Sequence, residues 1–313
     1  MMFGLVGDFG GTNCRLALAR AGQVEQTSQR VFRNADFASP LDAISEYLSQ
    51  MGIEHLGAVC LGVAGPVQAG KVRLTNYPWA LSETEIASIT GAGVVTLLND
   101  LQAQGYALHA LAAKDRSPVV QGAMANIEAP RLIVAIGTGV NAAVAFPQGR
   151  QVFVPPSESG HMALPIRDET DLSFASSVQT ELGHCPVEAA LSGRGLARLW
   201  QFFGGPAGQD GAAVTAAFEQ GDMAADAALR QATLYLARYC ADLALVHLPL
   251  GGIYLAGSVG LALAPHLGRL GFAEAFHRPG PYAEIHRSIP VYAVPDMQLT
   301  LAGCATRLLQ DLG

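Results

Sequence analysis

The sequence is poor in charge. Only 14% of its 313 residues are Asp, Glu, Lys or Arg, while 50% are hydrophobic, which excludes a disordered, solvated chain and favours a soluble globular protein with well-covered sheets. Basic residues are the scarcer sign: 19 Lys and Arg against 26 Asp and Glu give a formal net charge of −7. No Lys/Arg cluster is present to grip a nucleic-acid backbone. A nucleotide stays admissible, because backbone N–H groups can hold phosphate. No apolar run reaches the roughly 18 to 20 residues of a membrane-spanning helix before Gly, Pro or charge interrupts it. Five cysteines (Cys14, Cys60, Cys185, Cys240, Cys304) include no Cys-x-x-Cys pair, so neither a disulfide framework nor a zinc site is signalled and the expected compartment is a reducing cytoplasm. The amino terminus lacks a basic n-region and its apolar stretch breaks at Asp8, so it reads as a first strand rather than a secretion signal. Two nucleotide fingerprints are missing as well. The segment Gly7-Asp8-Phe9-Gly10-Gly11-Thr12-Asn13 matches neither G-x-G-x-x-G nor G-x-x-x-x-G-K-[ST], and Cys14 to Ala19 alternates like a strand where both fingerprints need a helix.

What is there begins with a strand over 3–7, a Gly-rich hairpin at 8–13 and a second strand over 14–19. A helix over Pro40 to Met51, a buried strand over Gly57 to Val63 ending at Ala64-Gly65-Pro66, a helix over Ser82 to Thr90 and a strand over Gly93 to Leu98 follow. Leu101 to Ala113 reads as a helix and 114–130 as a polar link, which sets the expected boundary between a first domain over 1–113 and a second over 114–300. Strand-turn-strand then recurs: Arg131 to Ile136, Gly137-Thr138-Gly139, Val140 to Phe146. This repeat suggests a duplicated architecture. Val187 to Phe203 and Ala212 to Leu250 read as helices around Gly204-Gly205-Pro206, and a strand over Gly252 to Ala256 leads through Gly257-Ser258 into a helix-rich tail.

Four constellations carry chemistry. Asp8 to Asn13 puts a carboxylate at a strand end before two residues without Cβ, so backbone amides can approach an anion while Asp8 holds a hydrated Mg²⁺; an ordinary Gly-Gly hairpin would look the same. Gly137-Thr138-Gly139, also between apolar strands, could grip the same triphosphate. Asn99-Asp100 ends a strand and presents an amide and a carboxylate at a sheet edge, where such folds place functional groups; both residues are equally good helix caps. Glu158 and His161 in a turn-rich loop, with Glu188 downstream, suit the reading of sugar hydroxyls; Glu188 on its own reads as an exposed helix carboxylate. A metal is the rival for Glu158 and His161, with no further ligand motif in support.

Taken in order, Asp8 to Asn13, Leu74-Thr75-Asn76 with Trp79, Leu98-Asn99-Asp100, Gly137-Thr138-Gly139, Glu158-Ser159-Gly160-His161, Glu188 with Leu191-Ser192-Gly193, and Leu255-Ala256-Gly257 resemble the bacterial glucokinase family over almost the whole chain. The resemblance implies an α/β, two-domain actin-like ATPase (ribonuclease H-like) fold with a central cleft that closes on the sugar, the terminal helix over 301–313 returning to the first domain. It implies a phosphate loop at Asp8, Phe9, Gly10, Gly11, Thr12 and Asn13, a second at Gly137, Thr138 and Gly139, and adenosine contacts at Gly257 and Ser258. Asn99, Asp100, Glu158, His161 and Glu188 would hold the hexose, with Asp100 as base, ATP as donor and Mg²⁺ at Asp8. Two residues depart from the family pattern: Asn141 stands where a further Gly usually follows the second phosphate loop, and Ser258 where a second Gly often follows Gly257. Both are expected to act on nucleotide affinity. The expected partners are glucose or a similar hexose and ATP, with no nucleic acid and no membrane, and a homodimer is compatible with these features. A kinase for another hexose or an amino sugar would share every catalytic residue. A sugar-responsive regulator usually brings a helix-turn-helix ahead of the first strand, and a filament-forming ATPase has no need of the sugar set.

Overall fold

The computed structural model describes residues 3–122, 128–295 and 298–312. The chain divides into two compact units, one formed by Met1–Ala110, Gln148–Pro156 and Met297–Gly313 and the other by Leu111–Pro147 and Ser157–Asp296, as far as those ranges are described.

In the first unit, Gly4–Phe9 and Asn13–Arg20 form an antiparallel hairpin, with Ala58–Val63 parallel beside Gly4–Phe9 and Val94–Asn99 parallel beyond it. Gln23–Val24 and Arg30–Arg33 pair with successive parts of Asn13–Arg20. Ala58–Val63 is buried along its whole length, as the unbroken apolar run of a central parallel strand requires. Helix Pro40–Met51 is punctuated at both ends. The Ser39 hydroxyl accepts from the Asp42 amide, Pro40 opens the first turn, and Gly52 closes the helix at φ 66°, a left-handed cap that glycine adopts without steric cost. The last helix, Leu299–Leu312, lies so close to helix Asp100–Ala107 that a Cβ on Gly303 would collide with the Ala103 carbonyl.

The second unit repeats the layout. Arg131–Ile136 and Val140–Gln148 form a hairpin, Ile253–Ala256 runs parallel beside Arg131–Ile136, and Val291–Ala293 runs parallel beyond that. A hairpin followed by two parallel strands is the plan of both units, as the repeated strand-turn-strand suggests. The long Met223–His247 helix lays Leu229, Leu236, Cys240 and Leu243 against this unit's core.

Several expected elements shift. The polar link over 114–130 contains an edge strand, Ser117–Val120, antiparallel to Val291–Ala293; 123–127 lies outside the described residues. The helix expected over Leu101 to Ala113 is Asp100–Ala107, closing in the single 3₁₀ turn Leu108–Ala110. The two long helices expected downstream are each split by a capping residue. The Ser192 hydroxyl accepts from Gly195 and separates Glu188–Leu191 from Gly193–Phe202, while the Asp222 carboxylate accepts from Ala225 and separates Gly211–Glu219 from Met223–His247. Glu169–Leu182, not foreseen from the sequence, is a helix between an Asp168 cap and Gly183 at φ 78°.

Candidate active site

In the first unit the parallel register aligns Phe9, Val63 and Asn99 in one row across three strands. Asp8, the turn after Phe9 and the pair Asn99-Asp100 therefore share the carboxyl edge of the sheet, where open α/β sheets bind ligands. The turn is tied from within and from the side. Gly10 N donates to Asn13 O at 3.0 Å, Asn34 N donates to Thr12 O at 2.9 Å, and Asn34 Nδ2 donates to Gly10 O at 2.9 Å. Gly11 lies against Asn76, whose Cβ would stand 3.2 Å from a Cβ added there. Neither Gly10 nor Gly11 has positive φ, so what the glycines supply is room for a close approach.

Asp8 and Arg15 are cross-strand partners, with Arg15 guanidinium 3.2 Å from Asp8 Oδ2 and the Asp8 side chain 21% exposed. Among the described residues no three His, Cys, Asp or Glu side chains group as metal ligands. A lone carboxylate still fits Mg²⁺, which keeps several waters and takes its remaining ligands from substrate phosphates.

Asn99 is the cap of helix Asp100–Ala107: its Oδ1 accepts from Leu101 N at 3.0 Å and Gln102 N at 3.4 Å, and its Nδ2 donates to Gly65 O at 3.3 Å. One of the two amide hydrogens remains for a ligand. Asp100 Oδ1 accepts from Leu101 N at 2.8 Å, in the first turn, where the helix dipole favours a carboxylate.

In the second unit, register pairs Ala135 with Ala256 on adjacent parallel strands, so Gly137-Thr138-Gly139 and Gly257-Ser258 also share a carboxyl edge. Gly137 N donates to Gly139 O, and Gly193 N to Gly137 O, each at 2.9 Å. Gly257 has φ 81°, and a Cβ there would strike the Ile136 carbonyl; no other residue fits without strain. Ser258 is exposed beside this turn, its Oγ 3.7 Å from where a Gly137 Cβ would sit.

Glu158 and His161 bracket the 3₁₀ turn Ser159–His161, with His161 N donating to Glu158 O at 3.1 Å. Glu188 comes alongside through a short antiparallel match. Ala163 bridges Pro186, Leu164 N donates to Cys185 O at 3.0 Å and Val187 N donates to Met162 O at 2.9 Å, so helix Glu169–Leu182 is an excursion between two paired segments. Glu188 Oε2 accepts from Val140 N at 3.0 Å and lies 2.7 Å from where a Gly139 Cβ would stand. The carboxylate is thus part of the frame of the second glycine turn, not the solvent-facing helix residue its position alone suggests. Partial burial raises the Glu158 carboxyl above its ordinary pKa, nearby Glu188 raises it further, and His161 opposes the shift.

Asn141 turns away from the glycine loop: its Nδ2 donates to Ser157 O at 2.6 Å and its Oδ1 accepts from Ser159 N at 3.0 Å. The sequence reading missed Asn34, which holds the first turn, and Tyr239, buried with its hydroxyl 2.7 Å from Ser159 Oγ. Neither lies in a motif, and both act from a distance along the chain, so local pattern carried no signal for them.

The glucokinase family model matches residues 5–311. The chain belongs to the glucokinase family. A curated glucokinase from Pseudomonas aeruginosa strain UCBPP-PA14 is 34% identical over 321 aligned residues, covering 99% of this chain and 95% of that protein. The crystal structure of a glucokinase from an Antarctic psychrotroph superposes with TM-score 0.88 at 28% identity, covering 99% of both chains. A ROK family glucokinase from Streptomyces griseus, solved with glucose and AMPPNP, superposes with TM-score 0.62 at 18% identity over 98% of this chain and 99% of that one, a likeness of fold. The repeated α/β plan is that of the actin-like ATPases, and the chain is an ATP-dependent sugar kinase of that fold. Among the described residues no helix is long and apolar enough to cross a membrane.

Proposed function

We propose that this kinase phosphorylates glucose at its 6-hydroxyl with Asp100 as the base. The carrying observation is the row Phe9, Val63, Asn99, which sets Asp100 on the same sheet edge as the first glycine turn. Gly10 N is spent within that turn and Gly137 N within the second, so Gly11, Thr12, Thr138 and Gly139 are the phosphate donors of the two loops, and Gly257 and Ser258 adjoin the adenosine. The proposed sugar contacts are Asn99, Asp100, Glu158, His161 and Glu188. Carboxylates and an imidazole read hydroxyl directions as acceptors and donors. Asp8 would hold Mg²⁺ through water; when bound, the ion neutralises charge on the β- and γ-phosphates.

In the reaction the sugar oxygen forms its bond to the γ-phosphorus as the bond from that phosphorus to the β-phosphate oxygen breaks. The hydroxyl proton passes to Asp100, and loop N–H groups meet the charge spread over the equatorial oxygens. The glucose bound by the Streptomyces griseus enzyme and the names of the curated relatives favour glucose as acceptor, and the AMPPNP bound by the same enzyme favours ATP as donor. All five cysteines are free thiols, four of them buried, which suits a reducing cytoplasm. The test is a coupled ADP-release assay over a panel of hexoses and amino sugars, wild type against Asp100→Ala. Turnover strongest with glucose and lost in the variant is the expected result; a preferred acceptor other than glucose, or retained turnover, overturns it.

A further inference from the structure

Asn141 lies second in strand Val140–Gln148, opposite Ala135, directly beyond the second glycine turn. Its carboxamide is fully engaged on the loop that carries Glu158. Nδ2 donates to Ser157 O at 2.6 Å and reaches Glu158 Oε2 at 3.4 Å, while Oδ1 accepts from Ser159 N at 3.0 Å, Ser159 Oγ at 3.4 Å and Ala142 N at 2.8 Å. The one carboxamide thus holds the peptide groups on both sides of Glu158, donating to the carbonyl before it and accepting from the amide after it. Two further features hold the same loop, one on this strand and one on helix Met223–His247. Gly160 is packed so closely on Val140 that a Cβ would collide with the Val140 carbonyl, and Ser159 Oγ is bonded to the buried Tyr239 hydroxyl. The adjacent residue, Val140, is tied through its amide to Glu188.

We infer that Asn141 is a positioning residue for sugar recognition, presetting the Ser157–His161 loop and the Glu158 carboxylate, and that its effect falls on the hexose rather than on the nucleotide. This rests on the assignment of Glu158 to the sugar. A glycine at 141 would make none of these side-chain bonds and would leave the loop to sample other conformations, so that binding glucose must first order it. The amide hydrogen on Glu158 Oε2 also offsets the charge that Glu188 and burial disfavour there.

The test is Asn141→Gly, Glu158→Gln and the double variant, with glucose and AMPPNP dissociation constants measured separately by calorimetry and steady-state kinetics alongside. Asn141→Gly is expected to raise the glucose Kd and KM about tenfold, the worth of roughly one net hydrogen bond in placement, with the nucleotide Kd within about twofold of wild type. Because Asn141 acts through Glu158, the double variant should be weaker than Glu158→Gln by much less than tenfold. Asn141→Asp keeps the acceptor for Ser159 N but sets a second carboxylate beside Glu158, so its glucose affinity should fall below that of Asn141→Gly at neutral pH. A raised nucleotide Kd with unchanged glucose Kd in Asn141→Gly returns the residue to the nucleotide and overturns the inference, as do fully additive effects in the double variant. A glucose Kd unmoved in Glu158→Gln overturns the sugar assignment and the inference with it, whereas one raised in Glu158→Gln but unmoved in Asn141→Gly overturns the inference alone.

Discussion

In the first unit the strand ends at Phe9, Val63 and Asn99 deliver Asp8 and Asp100 on the backbone itself, one residue before the end of its strand and one residue after. In the second unit the strand ends at Ile136 and Ala256 deliver glycine turns, and the carboxylates arrive later in the chain, Glu158 on a loop held by Asn141 and Tyr239, Glu188 on a short helix bonded to Val140. The same hairpin-plus-parallel plan thus fixes acidic groups in two ways. Backbone placement at a strand end suits a base that must meet one proton in one geometry, whereas side-chain ties set the shape of a recognition loop and can be changed without disturbing the sheet.

The sharpest way to break this comparison is Asp100→Ala. With the carboxylate gone and its helix still capped by Asn99, kcat should fall by about 10²–10⁴ while the far-ultraviolet circular dichroism is unchanged. Retained kcat there, with turnover lost instead in Glu158→Gln, would invert the roles of the two units.

Next in size is the clamp on helix Glu169–Leu182. Asp171, fully buried, accepts from Arg238 Nη1 at 2.6 Å, Gln231 Nε2 at 2.8 Å and Arg167 N at 2.8 Å. It pins helix Glu169–Leu182 to Met223–His247. Asp171→Ala strands the Arg238 guanidinium and should cost about 3 kcal/mol in urea unfolding; a cost near zero would show that Asp168, 3.5 Å from Arg238, carries the pair alone.

In the first unit the equivalent support is steric. Gly303 lets the last helix rest on the Ala103 carbonyl beneath the Asp100 helix, and the Thr300 methyl fills the space beside Gly62. Gly303→Ala gains helix propensity yet overpacks, and a net loss of about 1–3 kcal/mol is expected, with kcat falling more than glucose affinity because Asp100 moves with its helix. A variant more stable than wild type would mean that the helices separate at no cost.

Much of this was legible in the sequence where one stretch of chain decides its own structure. Alternation after Gly11 distinguished hairpin from helix, and Pro40, Gly52 and their neighbours marked a helix by its ends. The strand end at Asn99-Asp100 likewise follows from a run of apolar residues that stops. What was not legible is decided by partners distant in sequence. Helix Glu169–Leu182 has a capping aspartate and a closing glycine, but its inward face includes the buried, charged Asp171, which hides the apolar stripe until Arg238 and Gln231 are known. The direction of the Asn141 side chain is illegible for the same reason: it bonds a loop that returns 16 to 18 residues on.

The smallest effect comes from the Glu158 carboxyl and has two parts of opposite sign. Its pKa is raised by partial burial and by Glu188, against the opposing influence of His161, so the neutral form is favoured in the folded protein relative to the unfolded chain. The charged form therefore costs folding stability above the folded pKa, and the cost is relieved as pH falls through that value. Glu158 is exposed, so solvent screens the effect, and Glu158→Gln should gain at most about 0.5 kcal/mol at neutral pH, a gain that disappears in acid. Sugar binding runs the other way, because protonation replaces a carboxylate acceptor with a hydroxyl. In wild type the glucose Kd should rise on acidification starting at a pH above the ordinary glutamate value, and in Glu158→Gln that early rise should be missing. Calorimetric glucose titrations of both proteins across pH 4 to 8 decide it: superimposable pH profiles would remove Glu158 from the sugar contacts and leave its raised pKa a property of the loop alone.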